Sequence, residues 1–336
     1  MKNKKLKAGI IGLGVGEAHM NGYDSHPDCE VIAICDFNQD KELYAKQKFP
    51  KLKFYNNSSD LLNDSEVDVV SIASFDNYHY EEILLAIENN KHIFIEKPLC
   101  LYSHEARVIR NRLNEKPNIK ISSNLILRKS PRFIDLRKKI LSGEMGTIFY
   151  LDGDYNYGRV NKLTNGWRGE IDYYSVILGG AVHLIDLILW LNGSRVREVS
   201  CFGNKISTKD TQFKHLDFAV ALMKFENESN AKVSANFGCV YPHFHCLSVY
   251  GTEASFVNRK TSAEYFTSRD SSIEPELLNT EYPGIQKGDL IHSFLDDILG
   301  YGDSDVNKED VFKTISVCFA MENSLRKNIH VPVEYI

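Results

Sequence analysis

Long hydrophobic runs, closely paired cysteines and a strong excess of either charge are all missing from this sequence. No apolar stretch approaches the roughly 20 residues that a membrane helix needs, so the sequence predicts no membrane span. The formal net charge of −5 argues against nucleic acid as a partner. The seven cysteines are odd in number and not closely paired, which predicts free thiols in a reducing cytoplasm.

Metal-ligand spacings, internal repeats and low-complexity linkers are also missing. His243, His245 and Cys246 lie close together, with Cys239 nearby, but they lack the C-x-x-C or H-x₃-H spacing typical of zinc sites, so no metal is predicted. The N-terminus is basic and then apolar, as in a signal peptide. Its apolar part is short, broken by glycine and without a small-residue cleavage site, so we reject that interpretation.

What the chain does contain is a composition and length typical of two folded domains. With 336 residues it is too long for one ordinary core. In residues 1–123 short apolar strands alternate with helices, which predicts a doubly wound parallel sheet of the Rossmann type. In residues 124–336 strands follow one another with few helices between them. This indicates an α+β domain with a large, open and mostly antiparallel sheet.

The predicted elements follow from apolar periodicity and turn residues. The predicted strands span residues 8–11, 30–36, 53–55, 67–73, the start of 91–99, 119–123, 147–157, 196–206, 217–225, 231–240 and 247–257. The first predicted helix begins at residue 17. The other predicted helices span 39–48, 59–63, 81–89, 103–113, 131–142, 175–191, 290–299 and 309–326. Ser58 is the predicted cap of the helix at 59–63.

A glycine-rich turn follows the first apolar strand and precedes a helix. Gly12 can take a tight turn, Gly14 lets the backbone approach a pyrophosphate, and the N–H groups of the helix start face negative charge. The usual fingerprint is G-x-G-x-x-G/A, but here its third position is Glu17 and the extra Gly16 comes one residue early. We interpret this as a variant dinucleotide-binding turn, with a purely structural turn as the alternative. The predicted contacts are Gly12, Leu13, Gly14, Val15 and Gly16.

A carboxylate stands at the end of the second predicted strand. Asp36 lies 22 positions after Gly14, close to the spacing of roughly 20 expected for the acid that holds the adenosine ribose. A carboxylate there accepts hydrogen bonds from both ribose hydroxyls and repels a 2′-phosphate, so the sequence predicts NAD rather than NADP. The alternative is a solvated aspartate at a strand end.

The order of these features resembles that of the Gfo/Idh/MocA family of oxidoreductases. It comprises the glycine turn, the strand-end acid, a loop ending in His79, the segment KHIFIEKPL at residues 91–99 and the later VHLID helix. The resemblance implies hydride transfer between a nicotinamide and a ring hydroxyl or ketone of a sugar, polyol or nucleotide-linked sugar. It also implies a homodimer or homotetramer that assembles through one face of the open sheet.

Such a reaction needs one group that polarises the reacting oxygen and one that exchanges its proton, and two side chains suit these tasks. Pro98 disfavours helix for Lys97 and holds it extended at a strand end, and the resemblance makes Lys97 the lysine that contacts the reacting hydroxyl. His183 is the predicted base in oxidation, and Asp186, three residues later on one helix face, could fix its tautomer. A surface lysine and a core histidine are the alternatives.

One position departs from the family pattern. Many members carry an aspartate four residues before the histidine, where this chain has Gly179. Tyr173 and Tyr174 are candidates for the missing contact, with aromatic packing as the alternative. Arg168, in a W-R pair, could bind a carboxylate or phosphate, or form a loop salt bridge. The predicted substrate-facing residues are Arg168, Tyr174 and Asp186.

The remaining predicted cofactor contacts come from the resemblance alone. Asp76 matches a position where asparagine is usual. A carboxylate near a pyrophosphate is unfavourable unless it is solvated, so Asp76 is not among the predicted contacts. Two alternatives to an ordinary dehydrogenase stay open: a silent NAD-binding regulator, and an enzyme that recycles a tightly bound nicotinamide. The contacts that the resemblance implies are Ser74, His79, Glu96, Lys97 and Asn124.

Overall fold

The computed structural model describes residues 5–336 in two compact units. Residues 1–4, where the signal-peptide-like stretch begins, lie outside the described residues. Within the described range, the first unit holds residues 5–126, 286–312 and 336, and the second holds residues 127–285 and 313–335. The domain limits drawn from the sequence, 1–123 and 124–336, stay a prediction.

The first unit contains a parallel sheet of six strands, as the sequence predicts. The strand order is β3-β2-β1-β4-β5-β6, and every pair in it is parallel. The strands are β1 (Leu6–Ile11), β2 (Cys29–Cys35), β3 (Lys53–Tyr55), β4 (Val69–Ile72), β5 (His92–Ile95) and β6 (Ile121–Ser123). The helices of this unit are α1 (Gly16–Asp24), α2 (Gln39–Lys48), α3 (Ser58–Asn63), α4 (His79–Glu88), α5 (Ser103–Glu115) and α9 (Ile291–Leu299).

Local sequence explains most of these elements. All four residues of β4 are buried, as expected for a central strand covered on both faces. The side chain of Asn38 accepts a hydrogen bond from the Asp40 backbone and so caps α2. The predicted cap Ser58 is wrong, because Asn57 accepts the bond from the Ser59 backbone and Ser58 is the first residue of α3.

The second unit is built on a nine-stranded mixed sheet, mostly antiparallel as predicted. Its order is β14-β13-β12-β11-β7-β10-β9-β8-β15, with β7 and β10 as the parallel pair. The strands are β7 (Ile148–Asn156), β8 (Val196–Asn204), β9 (Phe218–Phe225), β10 (Asn230–Asn236), β11 (Phe244–Gly251), β12 (Ser255–Asn258), β13 (Ala263–Phe266), β14 (Glu276–Leu278) and β15 (Val331–Pro332). The helices are α6 (Pro131–Leu141), α7 (Asn161–Thr164) and α8 (Val182–Asn192), and α10 spans Lys308–Lys327.

Several predicted bounds in this unit need correction. The single strand predicted over 247–257 is two strands, because a turn returns the chain at Gly251, whose N–H bonds the Ala254 carbonyl. The predicted helix over 175–191 begins as a π-helical turn at Ile177–Ala181 before α8. Strands β13 and β14 were missed, since each is only three or four residues long.

Two further features bear on the predicted environment. None of the helices formed by residues 5–336 has the length and apolar character needed to cross a bilayer. The cysteines at positions 29, 35, 100, 201, 239, 246 and 318 are free thiols, as predicted from their spacing.

Candidate active site

The three glycines of the first turn have three different steric reasons to be glycine. Gly12 has φ of +85°, and a Cβ there would lie 2.3 Å from the Ala73 carbonyl oxygen. A Cβ on Gly14 would meet no atom within 4 Å, so the backbone is open to a ligand at that point. A Cβ on Gly16 would lie 2.8 Å from Ile10, so this glycine lets α1 pack closely on β1. Gly16 thus does what the displaced third glycine of the fingerprint does.

Asp36 is tied directly to that turn. One carboxylate oxygen accepts a hydrogen bond from the Leu13 N–H at 2.8 Å, and the other accepts from the Asn38 N–H at 3.0 Å. The Lys41 ammonium donates to the Leu13 carbonyl at 3.4 Å. Asp36 is 9% exposed, and each carboxylate oxygen has a second lone pair. The predicted ribose acid therefore also fixes the position of the glycine turn.

The loop after β4 is held by a buried histidine. His79 Nδ1 lies 2.7 Å from the Pro98 carbonyl oxygen, and its Nε2 lies 3.3 Å from the Ser74 carbonyl oxygen. Ser74 donates its hydroxyl proton to Glu82, and burial raises the pKa of the Glu82 carboxyl. His79 is fully buried and Asp76 nearly so. His79 therefore joins this loop to the segment that carries the predicted lysine.

Glu96, next to that lysine, is part of a buried polar network. Its Oε1 accepts a hydrogen bond from the Asn124 amide at 2.6 Å and lies 3.3 Å from His19 Nε2. His19 Nδ1 lies 2.7 Å from the Ser71 hydroxyl. Burial would raise the pKa of Glu96, but the His19 hydrogen bond and the charges of His19, Lys287 and Lys97 hold that pKa well below its usual range. Glu96 is thus an anion fixed beside Lys97.

Sequence reasoning missed two members of this network. His19 was assigned only to the start of the first helix, and Ser71 only to a strand. A histidine three residues after Gly16, on the face of α1 that packs on the sheet, was the available signal. The contact of His19 with Ser71 and Glu96 depends on strand order, which the sequence does not show. The structure thus brings the predicted Glu96 and Asn124 into direct contact, with His19 beside both.

In the second unit, His183 lies in the first turn of α8 and faces an aromatic cluster. Its ring stacks on Tyr155 at the end of β7, with centroids 6.1 Å apart, and meets the His245 ring edge-on at 6.1 Å. Helix α8 packs against β7 and β10. The His183 side chain is largely buried in this cluster, and 7% of the residue's surface is exposed.

Gly179 and Tyr174 share one space. A Cβ on Gly179 would lie 2.2 Å from the Tyr174 hydroxyl oxygen, so the phenol occupies the volume of any side chain at 179. That hydroxyl accepts a hydrogen bond from Arg168 Nε at 3.1 Å, and the guanidinium lies 4.6 Å from the Trp167 ring centroid. The structure therefore brings the predicted Arg168 and Tyr174 together at the departure from the family pattern.

Asp186 is fully buried in an ion pair that the sequence did not suggest. Its two oxygens accept from Arg128 Nε at 2.9 Å and Nη2 at 2.6 Å, and Thr314 donates its hydroxyl proton at 3.2 Å. The bidentate geometry gives this pair a strong charge-assisted bond. The hydrogen bond predicted between Asp186 and His183 stays a prediction.

The two histidines considered above as metal ligands, His243 and His245, contact tyrosine side chains. His245 Nδ1 lies 2.7 Å from the Tyr282 hydroxyl, and His243 packs edge-on against Tyr155 at 5.4 Å. Among residues 5–336, no group of three or more His, Cys, Asp or Glu side chains has an arrangement that would hold a metal ion.

The fold and the glycine turn define a protein with a Rossmann-type dinucleotide-binding unit and a second α+β unit. Residues 6–124 match the model of the Gfo/Idh/MocA oxidoreductase family, NAD-binding Rossmann fold, and residues 133–257 match that family's C-terminal domain. The chain belongs to the Gfo/Idh/MocA family of oxidoreductases, as its motifs predict.

Relatives and solved structures agree with this assignment. Inositol 2-dehydrogenase of Salmonella paratyphi B is 26% identical over 274 residues, which cover 78% of each chain. The structure of levoglucosan dehydrogenase in complex with NADH superposes with a TM-score of 0.87 at 22% identity, covering 99% of this chain and 100% of that one. Scyllo-inositol dehydrogenase of Lactobacillus casei, with bound NAD(H) and scyllo-inositol, gives 0.80 at 19% identity, covering 98% and 99%.

Proposed function

We propose that this protein is an NAD-dependent oxidoreductase that acts on a ring hydroxyl, or the corresponding ketone, of a sugar, polyol or nucleotide-linked sugar. Its family membership and the inositol and levoglucosan dehydrogenases among its relatives support this proposal. The observation that carries it is the turn at the end of β5, where the buried anion Glu96 fixes the backbone beside Lys97.

The residues of the first unit fit a dinucleotide. The open backbone at Gly14 leaves space for a pyrophosphate, and the N-terminus of α1 offers N–H groups to it. Asp36 has lone pairs for the ribose hydroxyls. When bound, NAD supplies hydride transfer. We propose that Gly12, Leu13, Gly14, Val15, Gly16, Asp36, Ser74, Glu96 and Asn124 hold it, with His79 positioning the loop.

Two side chains are proposed to handle charge and protons at the reacting oxygen. The Lys97 ammonium contacts that oxygen and stabilises its developing negative charge. His183 takes the hydroxyl proton in oxidation and returns it in reduction. We propose that Asp186 fixes the start of α8 and hence the His183 ring. Because Asp186 is fully buried with Arg128, this positioning role replaces the substrate contact that the sequence predicts for it.

The NAD preference predicts the effect of changing Asp36. Asp36→Asn keeps the volume but removes the charge that binds the ribose and repels a 2′-phosphate. Because a hydrogen bond to a charged group contributes about 1.5–3 kcal/mol, we expect NAD affinity to fall about 10- to 100-fold and the preference for NAD over NADP to shrink with it. Fluorescence titration with both cofactors measures this. Asp40→Asn, at an exposed site in α2, is the matched control; tighter binding of NADP by the wild type would contradict the proposal.

The role of His183 predicts a loss of rate and of pH dependence. We expect His183→Asn to lower kcat/KM about 10²- to 10³-fold, since general acid–base catalysis typically contributes about 10²- to 10⁴-fold. The rise of the oxidation rate with pH, caused by loss of the proton from a histidine base, should also disappear. His330→Asn, at an exposed position, controls for the substitution. An unchanged pH profile would argue that His183 only packs against Tyr155.

The first test of the function itself is NADH formation, followed by absorbance, against a panel of polyols, sugars and nucleotide sugars. Turnover that is lost in a Lys97 variant supports the enzyme. Nucleotide that co-purifies after extensive dialysis favours the enzyme that recycles a bound nicotinamide. A biological role that survives alanine at both Lys97 and His183 favours the silent regulator.

The proposal also covers the role of each part of the chain, the oligomeric state and the cellular compartment. We propose that residues 1–123 serve the nucleotide and that residues 124–336 serve the substrate and a dimer or tetramer interface on the open sheet. The exposed Phe202 and Leu222 on β8 and β9 support an interface there. Seven free thiols support a cytoplasmic location.

A further inference from the structure

The position where many family members carry an aspartate has a positively charged neighbour in this protein. The Tyr174 hydroxyl fills the side-chain volume of Gly179, four residues before His183, and it accepts a hydrogen bond from Arg168 Nε. Tyr174 is only 2% exposed, so the ring is fixed by its surroundings and fixes the guanidinium in turn. A carboxylate at this position would add negative charge; the phenol and its arginine add positive charge.

Three histidines surround a second tyrosine close to this pair. The ring centroid of Tyr155 lies 5.1 Å from that of His245, 5.4 Å from that of His243 and 6.1 Å from that of His183. His243 is exposed, whereas His245 and His183 are nearly buried. All three imidazoles therefore lie against the Tyr155 ring, and one of them, His243, is exposed to solvent.

The positive charges of two arginines affect the pKa of the same tyrosine, Tyr155. Burial raises the pKa of the Tyr155 phenol, and the positive charges of Arg168 and Arg159 oppose that rise. The Arg159 guanidinium lies 5.2 Å from the ring centroid of Tyr157, which in turn stacks on Tyr155 at 5.7 Å. We call the set Arg159, Arg168, His243 and His245 the basic cluster.

We propose that the substrate carries an anionic group, a carboxylate or a phosphate ester, and that the basic cluster binds it. This inference rests on the proposed oxidoreductase function and narrows its substrate class. Guanidinium groups match carboxylate and phosphate oxygens in a planar fork, and such charge-assisted bonds are about twice as strong as neutral ones. The hydrogen bond that Arg168 donates to Tyr174, together with the contact with Trp167, holds the guanidinium in one orientation. This lowers the entropy lost on binding.

Matched substrate pairs test the inference on the full-length protein. We would compare glucuronate with glucuronamide, galacturonate with galacturonamide, and glucose 6-phosphate with glucose. NADH formation gives kcat/KM, and calorimetric titration in the presence of NADH, which cannot oxidise the substrate, gives affinity without turnover. The uronate pairs report a carboxylate, and the phosphate pair reports a phosphate ester. We expect at least one acidic member to exceed its neutral partner by about tenfold or more.

Two variants connect that preference to the basic cluster. Arg168→Gln should lower kcat/KM and affinity for the preferred acid about 10- to 100-fold, and those for its neutral partner by a clearly smaller factor. Tyr174→Phe keeps the ring beside Gly179 but removes the bond to Arg168, and it should lower the acid preference by a smaller factor. Arg197→Gln, an exposed arginine of β8 paired with Glu198, should change neither value.

The possible failures can be told apart. If kcat/KM for neutral sugars or polyols equals that for the acids, the anionic substrate is overturned but the oxidoreductase function stands. Equal losses of kcat/KM for an acid and its neutral partner in Arg168→Gln would have the same meaning. Turnover of neutral members together with no binding of any acid would do the same. No NADH from any member and no binding of any acid would remove the proposed function and this inference with it.

Discussion

Lys97→Met is expected to lower kcat about 10²- to 10³-fold while the affinity for NAD changes little. An ammonium that contacts the reacting oxygen stabilises charge that develops only in the transition state, and removing one such donor typically costs about 10²- to 10³-fold in kcat. Methionine keeps the length and the apolar stem of the side chain.

The measurement is steady-state NADH formation with the best substrate of the panel, together with fluorescence titration of NAD. Lys46→Met is the matched control, because Lys46 is an exposed lysine of α2 that pairs with Glu42 four residues away. It should keep full activity. Activity within tenfold of the wild type in Lys97→Met would show that Lys97 does not contact the reacting oxygen, and a large loss of NAD affinity would make it a cofactor ligand instead.

Asp186→Ala is expected to destabilise the second unit by about 3–5 kcal/mol, since it leaves the Arg128 guanidinium buried without its carboxylate. Both tryptophans, Trp167 and Trp190, belong to this unit, and Trp190 lies over the Arg128 guanidinium at 5.9 Å. Urea unfolding followed by tryptophan fluorescence therefore reports the change directly. Glu198→Ala, which breaks an exposed pair with Arg197, should cost less than about 1 kcal/mol.

A double variant separates stability from catalysis. Arg128→Met combined with Asp186→Leu removes both charges and should recover most of the lost stability, because buried ion pairs can be replaced by apolar groups at little cost. If Asp186 fixes the His183 tautomer, as the sequence suggested, the double variant will fold but stay inactive. Activity restored along with folding would show that Asp186 acts only through the packing of α8. A loss below 1 kcal/mol in Asp186→Ala would contradict the buried-pair argument.

The first unit could be predicted closely because its signals are local. A short apolar run, a glycine turn and a strand-end acid recur within 36 residues, and each reflects the physics of the nearby backbone. Gly12 needs its positive φ, and Asp36 accepts from the Leu13 N–H. The family assignment follows from these local signals together with the Glu96-Lys97-Pro98 tripeptide.

The second unit was predicted in class but not in detail. Strand-like segments without intervening helices predicted a mostly antiparallel sheet, and that prediction is confirmed. The split of 247–257 into β11 and β12 was missed, since both halves are apolar and the turn at Gly251 carries few turn residues. The parallel pairing of β7 with β10 joins strands about 80 residues apart, which periodicity does not show.

By itself, the sequence determined the two fold classes, the glycine turn, the acid at Asp36 and the placement of Lys97 before Pro98. Only the tertiary structure decided which side chains meet: Asp186 with Arg128, 58 residues away, and Glu96 with His19. It also decided that the Tyr174 hydroxyl takes the space beside Gly179. The physical reason is that backbone preference and apolar periodicity are local, whereas a buried charge is satisfied by whichever partner the packing brings to it.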